Sequence, residues 1–225
     1  SRGITKYNVD ELRPPNWQHQ GRHVVLIPGQ VEDDASILRG CEEVRSNLAL
    51  LRAARDACPD AFIVYKPHPD VLAGNRKGRA ALAQALDIAD HIETEISMVN
   101  CVEACSEVHT MTSLSGFEAL MRGKRVVVYG RPFYAGWGLT EDRLPMPRRK
   151  RSLTLDQLVA GTLLRYPVYW DLILKGVTTC EAVLYRIVEQ RDALKIQPCK
   201  ATNPRNGCPM HGLRRLLNLL LARIR

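Results

Sequence analysis

TSLSGFEALMRGKRVVVYGRPFYAGWGLTED, residues Thr112–Asp142, decides how the rest of this chain is read. It parses as a loop, a short helix, a strand and an aromatic loop. Thr112, Ser113 and Ser115 stand where a helix beginning near Gly116 exposes its unpaired backbone N–H groups. Those groups and the helix dipole favour an anion, and hydroxyls beside them add donors. Glu118 falls in the first turn of that helix, within reach of a ribose held there. Arg125–Tyr129 is a β-branched run of the kind found in buried strands. Gly130, Gly136 and Gly138 let the backbone pass close to a ligand, with Phe133, Tyr134 and Trp137 as flat walls. A plain capped helix followed by a core strand has the same local signature, so the rest of the chain must weigh in.

Upstream, strand and helix alternate. His23–Pro28 reads as a buried strand, Asp34–Ala57 as one helix with Ile37, Val44, Leu48 and Leu51 on a face, and Ala61–Tyr65 as a second strand. A helix over Arg79–Leu86, a short strand at His91–Ile92, a helix over Ile96–Cys105 and a strand at Val108–Met111 follow. Such alternation predicts an α/β, doubly wound parallel sheet covered on both faces. Ligands of these sheets sit beyond the carboxyl ends of the strands. Gln30–Asp34 follow the first strand, Lys66 and His68 the second, and Thr112–Ser115 the strand before the helix, so all three converge on one crevice. After Arg151 the pattern becomes helical, with Ser152–Thr154 and Thr178–Thr179 as helix starts.

The 225 residues suffice for one good core with appendages. The formal charge is +8, yet residues 143–151 hold five basic side chains and residues 195–225 seven, neither with an acid, which leaves the remainder at −4. A mildly acidic body argues against nucleic acid as partner. Seven scattered cysteines without a secretory signal read as reduced thiols, and Cys101 and Cys105, one helical turn apart, as core residues rather than metal ligands. Gly212–Arg225 pairs a leucine-rich face with four arginines, which suits either packing on the body or, with Arg148–Arg151, an anionic membrane surface.

Ser113, Gly116–Leu120, Gly123–Lys124 and Tyr134–Thr140, with Lys66–Val71 and Gln30–Ser36 upstream, resemble the KpsC-type β-Kdo transferases of the capsular polysaccharide synthesis family. The likeness runs from about Lys6 to Arg191. It implies the donor half of a GT-B-like glycosyltransferase with closing helices, using CMP-Kdo and a glycolipid acceptor at the cytoplasmic face of the inner membrane, where capsule assembly proteins are potential partners. It also implies retention through a covalent intermediate on an aspartate after the first strand. Asp34 fits that position best, with Asp33 in reserve, and Gln30 and Glu32 orient sugar hydroxyls. His68, stiffened between two prolines, serves the departing phosphate, and Lys66 adds charge. Ser113 and Ser115 take the nucleotide phosphate and Glu118 the ribose. No cofactor or metal is expected, since protein groups can carry the phosphate charge. Residues 1–22 then read as a linker from an absent acceptor-side half, 23–194 as the CMP-sugar domain and 195–225 as a basic linker with an amphipathic helix. Another nucleotide sugar on the same architecture, or a non-catalytic remnant that recruits capsule enzymes, remain the alternatives.

Overall fold

Six parallel strands in the order β3-β2-β1-β4-β5-β6 form the centre of the protein, seen in a computed structural model that describes residues 13–68 and 82–196. They are β1 (Val24–Pro28), β2 (Phe62–Lys66), β3 (His91–Ile92), β4 (Glu107–Thr110), β5 (Arg125–Val128) and β6 (Glu141–Asp142). Every residue of β1, β2 and β4 is buried, as parallel strands covered on both faces require. Successive side chains enter opposite cores. Leu26, Val64, Val108 and Val126 join Phe117 and Tyr134 on one face, whereas Val25, Ile27, Ile63 and Val127 join Ile37, Leu50 and Met111 on the other. The strand order reverses between β1 and β4, the switch point at which doubly wound sheets open a crevice. Trp17 belongs to the first core, its Nε1 donating to Glu93 at 3.0 Å, so the stretch ahead of β1 is tied down.

The single helix expected over Asp34–Ala57 is in fact two, α1 (Ala35–Gly40) and α2 (Asn47–Ala57). Cys41 leaves the helical path to form a bridge with Gly130, and Ser46 recaps the chain by accepting from the Ala49 amide at 3.1 Å. Val44 satisfies the apolar spacing but lies in the break. The helix α3 (Met98–Ala104) precedes β4, and Cys101 and Cys105 are buried in the core.

Helix α4 (Leu114–Leu120) begins earlier than expected, with Ser113 as its N-cap, which moves Glu118 from the first turn to the second. Gly116 faces the ring of the fully buried Tyr134, and a Cβ there would meet its hydroxyl and lie 2.8 Å from its Cζ. Gly116→Ala is therefore expected to destabilise the fold by about 1–3 kcal/mol in chemical denaturation. Gly161→Ala, with nothing within 4 Å of the added carbon, is the matched control.

Beyond β6, α5 (Leu155–Val159) starts from a capping box between Thr154 and Gln157 and widens into π-helical turns over Ala160–Arg165. A two-stranded antiparallel hairpin follows, β7 (Tyr169–Asp171) and β8 (Gly176–Thr178), between the two helices expected in this part of the chain. The strands are three residues each, too short for an alternation to show. Helix α6 spans Cys180–Ile196. The chain divides into two compact units, Ser1–Cys180 and Glu181–Arg225, and the sheet lies in the first. The basic amphipathic stretch at the carboxyl end lies outside the described residues.

Candidate active site

The loops after β1 and β4 meet across the switch point through one buried carboxamide. Gln30 Nε2 donates to Thr112 Oγ1 at 2.9 Å, and Gln30 Oε1 accepts from the Thr112 amide at 3.0 Å and the Thr110 hydroxyl at 3.3 Å. Ser36 Oγ lies 3.1 Å from the same Thr112 hydroxyl. Residues some eighty positions apart are thus locked together at the carboxyl end of the sheet. The amide of Gln30 itself donates to Asn47 Oδ1 at 2.9 Å, and Asn47 Nδ2 returns a bond to its carbonyl, which anchors the loop to the start of α2. Gln30 is thus a strut between the two loops of the site.

Glu32 is likewise engaged with Asn47, its Oε1 accepting from the Asn47 amide at 2.7 Å and from Nδ2 at 3.1 Å. Asp34 is the N-cap of α1 and accepts from the Ser36 amide at 2.8 Å, which fixes the carboxylate at an exposed helix start. Asp33 is exposed beside it.

The motif after β2 arrives by close backbone approach. Gly29 donates its N–H to the Lys66 carbonyl at 2.8 Å, and a Cβ at Gly29 would lie 2.9 Å from the His68 nitrogen and 3.1 Å from Pro67 Cα. Only glycine lets the loop that carries Gln30 and Asp34 run against Pro67–His68. Lys66 is buried at the end of β2 and His68 half-buried at the rim; Pro69, Asp70 and Val71 lie outside the described residues.

On the β4 side, Ser113 Oγ accepts from the Ser115 amide and donates to the Ser115 hydroxyl, both at 3.2 Å. Tyr134 Oη donates to the Ser113 carbonyl at 2.5 Å. The cap is therefore braced from the core, and Tyr134 is a core ring rather than the ligand wall expected from its motif. Burial pushes the Glu118 carboxyl up, and Arg122 only partly offsets this. The Gly136–Thr140 motif likewise holds its own loop: Asp142 accepts from the Gly136 amide at 2.9 Å and the Thr140 hydroxyl at 2.7 Å, and Trp137 Nε1 donates to the Phe133 carbonyl. Arg149, read in sequence as part of a membrane-facing basic run, donates instead to the carbonyls of Pro132 and Ala135 at 2.6 and 2.5 Å.

An open cleft of about 420 Å³ borders this lattice, lined by Ser36, Arg39, Thr112, Arg131, Pro132 and Phe133 among others. Two guanidinium groups, two hydroxyls and an exposed phenyl ring suit an anionic, partly apolar ligand. Arg131 is anchored to Glu42 at 2.5 Å. Sequence reading passed over Arg39 and Arg131 because they come from separate elements that only the sheet brings together.

A second polar cluster sits at the opposite, amino end of the strands. Glu107 is fully buried, its Oε1 2.7 Å from His109 Nε2 and its Oε2 2.9 Å from His23 Nε2 and 2.8 Å from an Arg125 nitrogen. His109 Nδ1 is 3.1 Å from the Tyr129 hydroxyl. Cys58, Glu107 and His109 bring ligand-type atoms within 4.8 Å of one another, yet both His109 nitrogens and both Glu107 oxygens already have hydrogen-bond partners. The cluster is a hydrogen-bonded network around one buried carboxylate.

Residues 4–169 match the capsule polysaccharide biosynthesis protein family. The capsule polysaccharide modification protein LipA of Neisseria meningitidis serogroup B is 52% identical over 168 residues, which cover 74% of this chain and 23% of that protein. The lipopolysaccharide-processing protein LpsZ of Rhizobium meliloti is 43% identical, over 74% of this chain and 38% of its own length. Two solved structures of Thermosulfurimonas dismutans KpsC share the fold. Its β-Kdo 2,7 transferase superposes with a TM-score of 0.70 and 42% identity over 80% of this chain and 57% of that one. Its β-Kdo 2,4 transferase gives 0.73 and 33% over 83% and 58%. The chain thus spans less than two fifths of the curated relatives it matches and over half of the solved transferase chains. A Rossmann-like sheet in the order 3-2-1-4-5-6, three motifs at its carboxyl edge and these likenesses agree, and the chain belongs to the capsule polysaccharide biosynthesis family.

Proposed function

We propose that this chain holds CMP-Kdo at the carboxyl edge of the sheet and serves the retaining transfer of Kdo to a lipid-linked capsule acceptor at a membrane face. The observation that supports it most directly is the Gln30–Thr112–Ser36 lattice, which fixes the helix start bearing Asp34 against the hydroxyl-rich start of α4. In the proposed step an Asp34 carboxylate oxygen bonds to the anomeric carbon as the bond from that carbon to the phosphate oxygen breaks, and CMP leaves. The acceptor hydroxyl then displaces Asp34, which leaves as a carboxylate while the hydroxyl proton passes to solvent, and two inversions give retention.

His68 donates to the departing phosphate, with Lys66 adding positive charge and the Ser113 and Ser115 hydroxyls further donors. Glu118 takes the ribose hydroxyls. Arg39 provides the cation that an acidic sugar needs for its carboxylate. Gln30 and Glu32 position the loop through Thr112 and Asn47. In this scheme side chains supply the positive charge, and no divalent ion is invoked.

Thermal denaturation of the full chain with CMP, UDP or GDP tests the reading. CMP at a hundred times its Kd is expected to stabilise the fold by about 2.7 kcal/mol, and Gln30→Leu to abolish the effect. Stabilisation by UDP or GDP but not CMP would end the Kdo assignment. That outcome favours a second reading, the same site with another nucleotide sugar, which the likeness to a capsule modification protein and a lipopolysaccharide-processing protein leaves open.

A further inference from the structure

The β7–β8 hairpin exposes more large apolar side chains than any other short segment among the described residues. Its tip, Leu172–Ile173–Leu174, is 52, 65 and 73% exposed. Trp170 and Val177 stand directly opposite each other in the hairpin register and are both exposed, and Val168 and Tyr166 extend the apolar surface towards the base. Tyr169 and Asp171 alternate with them and are less exposed, so one face and the tip are apolar while the other face is turned inward. Exposing this much apolar surface in water is unfavourable, and its concentration on one protrusion marks an interaction site.

We propose that this hairpin docks the protein on an anionic lipid surface, with the tip in the acyl boundary and the aromatic base among the head groups. Three features select lipid over a protein groove. First, the tip needs no outside hydrogen-bond partners for its leading amides: Ile173 and Leu174 both donate to Oδ1 of the buried Asp171, at 2.8 and 2.9 Å. Backbone N–H groups entering a bilayer boundary must be satisfied internally, whereas a protein partner would supply acceptors. Second, the charges complement an anionic surface. Arg165 and Lys175 are exposed at either end of the apolar segment, and Asp171, turned inward, is the one acid between Gln157 and Cys180. Third, the exposed Trp170 and Tyr166 lie behind an aliphatic tip, the order in which a membrane boundary sorts these side chains. No described helix is long and apolar enough to cross a membrane, so attachment through these residues calls for an interfacial element such as this one. The inference is independent of which sugar the edge of the sheet binds.

Flotation of the full chain with phosphatidylcholine vesicles, with and without phosphatidylglycerol, tests it. Binding is expected to the phosphatidylglycerol vesicles, with Trp170 emission quenched by brominated lipid and that quenching absent in Trp170→Phe. The triple variant Leu172→Ser, Ile173→Ser, Leu174→Ser alters only exposed positions and should keep the unfolding temperature while binding at least about tenfold more weakly. Unchanged binding by the triple variant overturns the proposal by placing attachment elsewhere, for which the basic carboxyl-terminal stretch is the obvious source. Absence of wild-type binding to either vesicle overturns it equally. So does lipid-free self-association that the triple variant abolishes, which would assign the hairpin to a second copy of the chain.

Discussion

Replacing Glu107 by alanine is expected to cost about 3–5 kcal/mol of stability, the largest single loss in the sheet, because it breaks the network around a fully buried carboxylate, leaves a nitrogen of the buried His109 without its partner and leaves Arg125 with Glu141 alone. For a domain of this size that lowers the unfolding temperature by roughly 10 °C or more, readable by calorimetry. The same residue sets an acid limit. Burial alone would push its carboxyl up, but hydrogen bonds from His109 and His23 and the charge of Arg125 outweigh burial and bring it from 4.5 down to about 2. A carboxylate depressed on folding contributes stability that is complete above its unfolded value and vanishes as pH falls through its folded one. Glu107 therefore contributes about 3 kcal/mol at neutral pH, lost between about pH 5 and pH 2. Glu107→Gln should flatten that part of the stability–pH curve. A curve as steep as wild type would show that other carboxylates govern acid unfolding.

Asp34→Asn is the second large effect. Asparagine caps a helix as well as aspartate does, so α1 and its bond to the Ser36 amide should persist with little change in stability. As a nucleophile, however, the amide is inert. Under the proposed chemistry, incubation with CMP-Kdo gives a glycosylated wild-type protein by intact mass, and Asp34→Asn slows adduct formation at least about a thousandfold. CMP binding should survive in that variant. Asp33→Asn should behave as wild type, and the reverse pattern would move the nucleophile one residue upstream. Alanine at position 34 is the poorer choice, since it also removes the cap.

The strands were legible because parallel strands are buried on both faces and read as continuous apolar runs, as in VVLIP and RVVV. Their parallel arrangement followed from the alternation with helices. What escaped the sequence depends on long-range contact. The break between α1 and α2 is made by Cys41 meeting Gly130, and nothing local to the apolar spacing announces it. Strand β6 is two residues, Glu141–Asp142, that pair only because β5 is already in place. Within the candidate site, the motif residues fell on the expected edge, but several are its scaffold: Tyr134 and Asp142 brace loops, and Gln30 joins them. Glu107 and His109 are spaced two apart in a strand, which puts both on one face. The same spacing also marks an ordinary half-exposed strand, so their burial is visible only in the fold.

The position of β1 bears on how the chain is made. This most apolar strand pairs with β2 on one side, but its other neighbour, β4, begins only at Glu107. A ribosome releasing the chain from its amino end therefore presents Val24–Pro28 with one row of amides and carbonyls open until some eighty further residues have emerged. Any shortened version ending before that point retains a sticky ribbon edge, and aggregation during expression is the outcome to expect from such truncations.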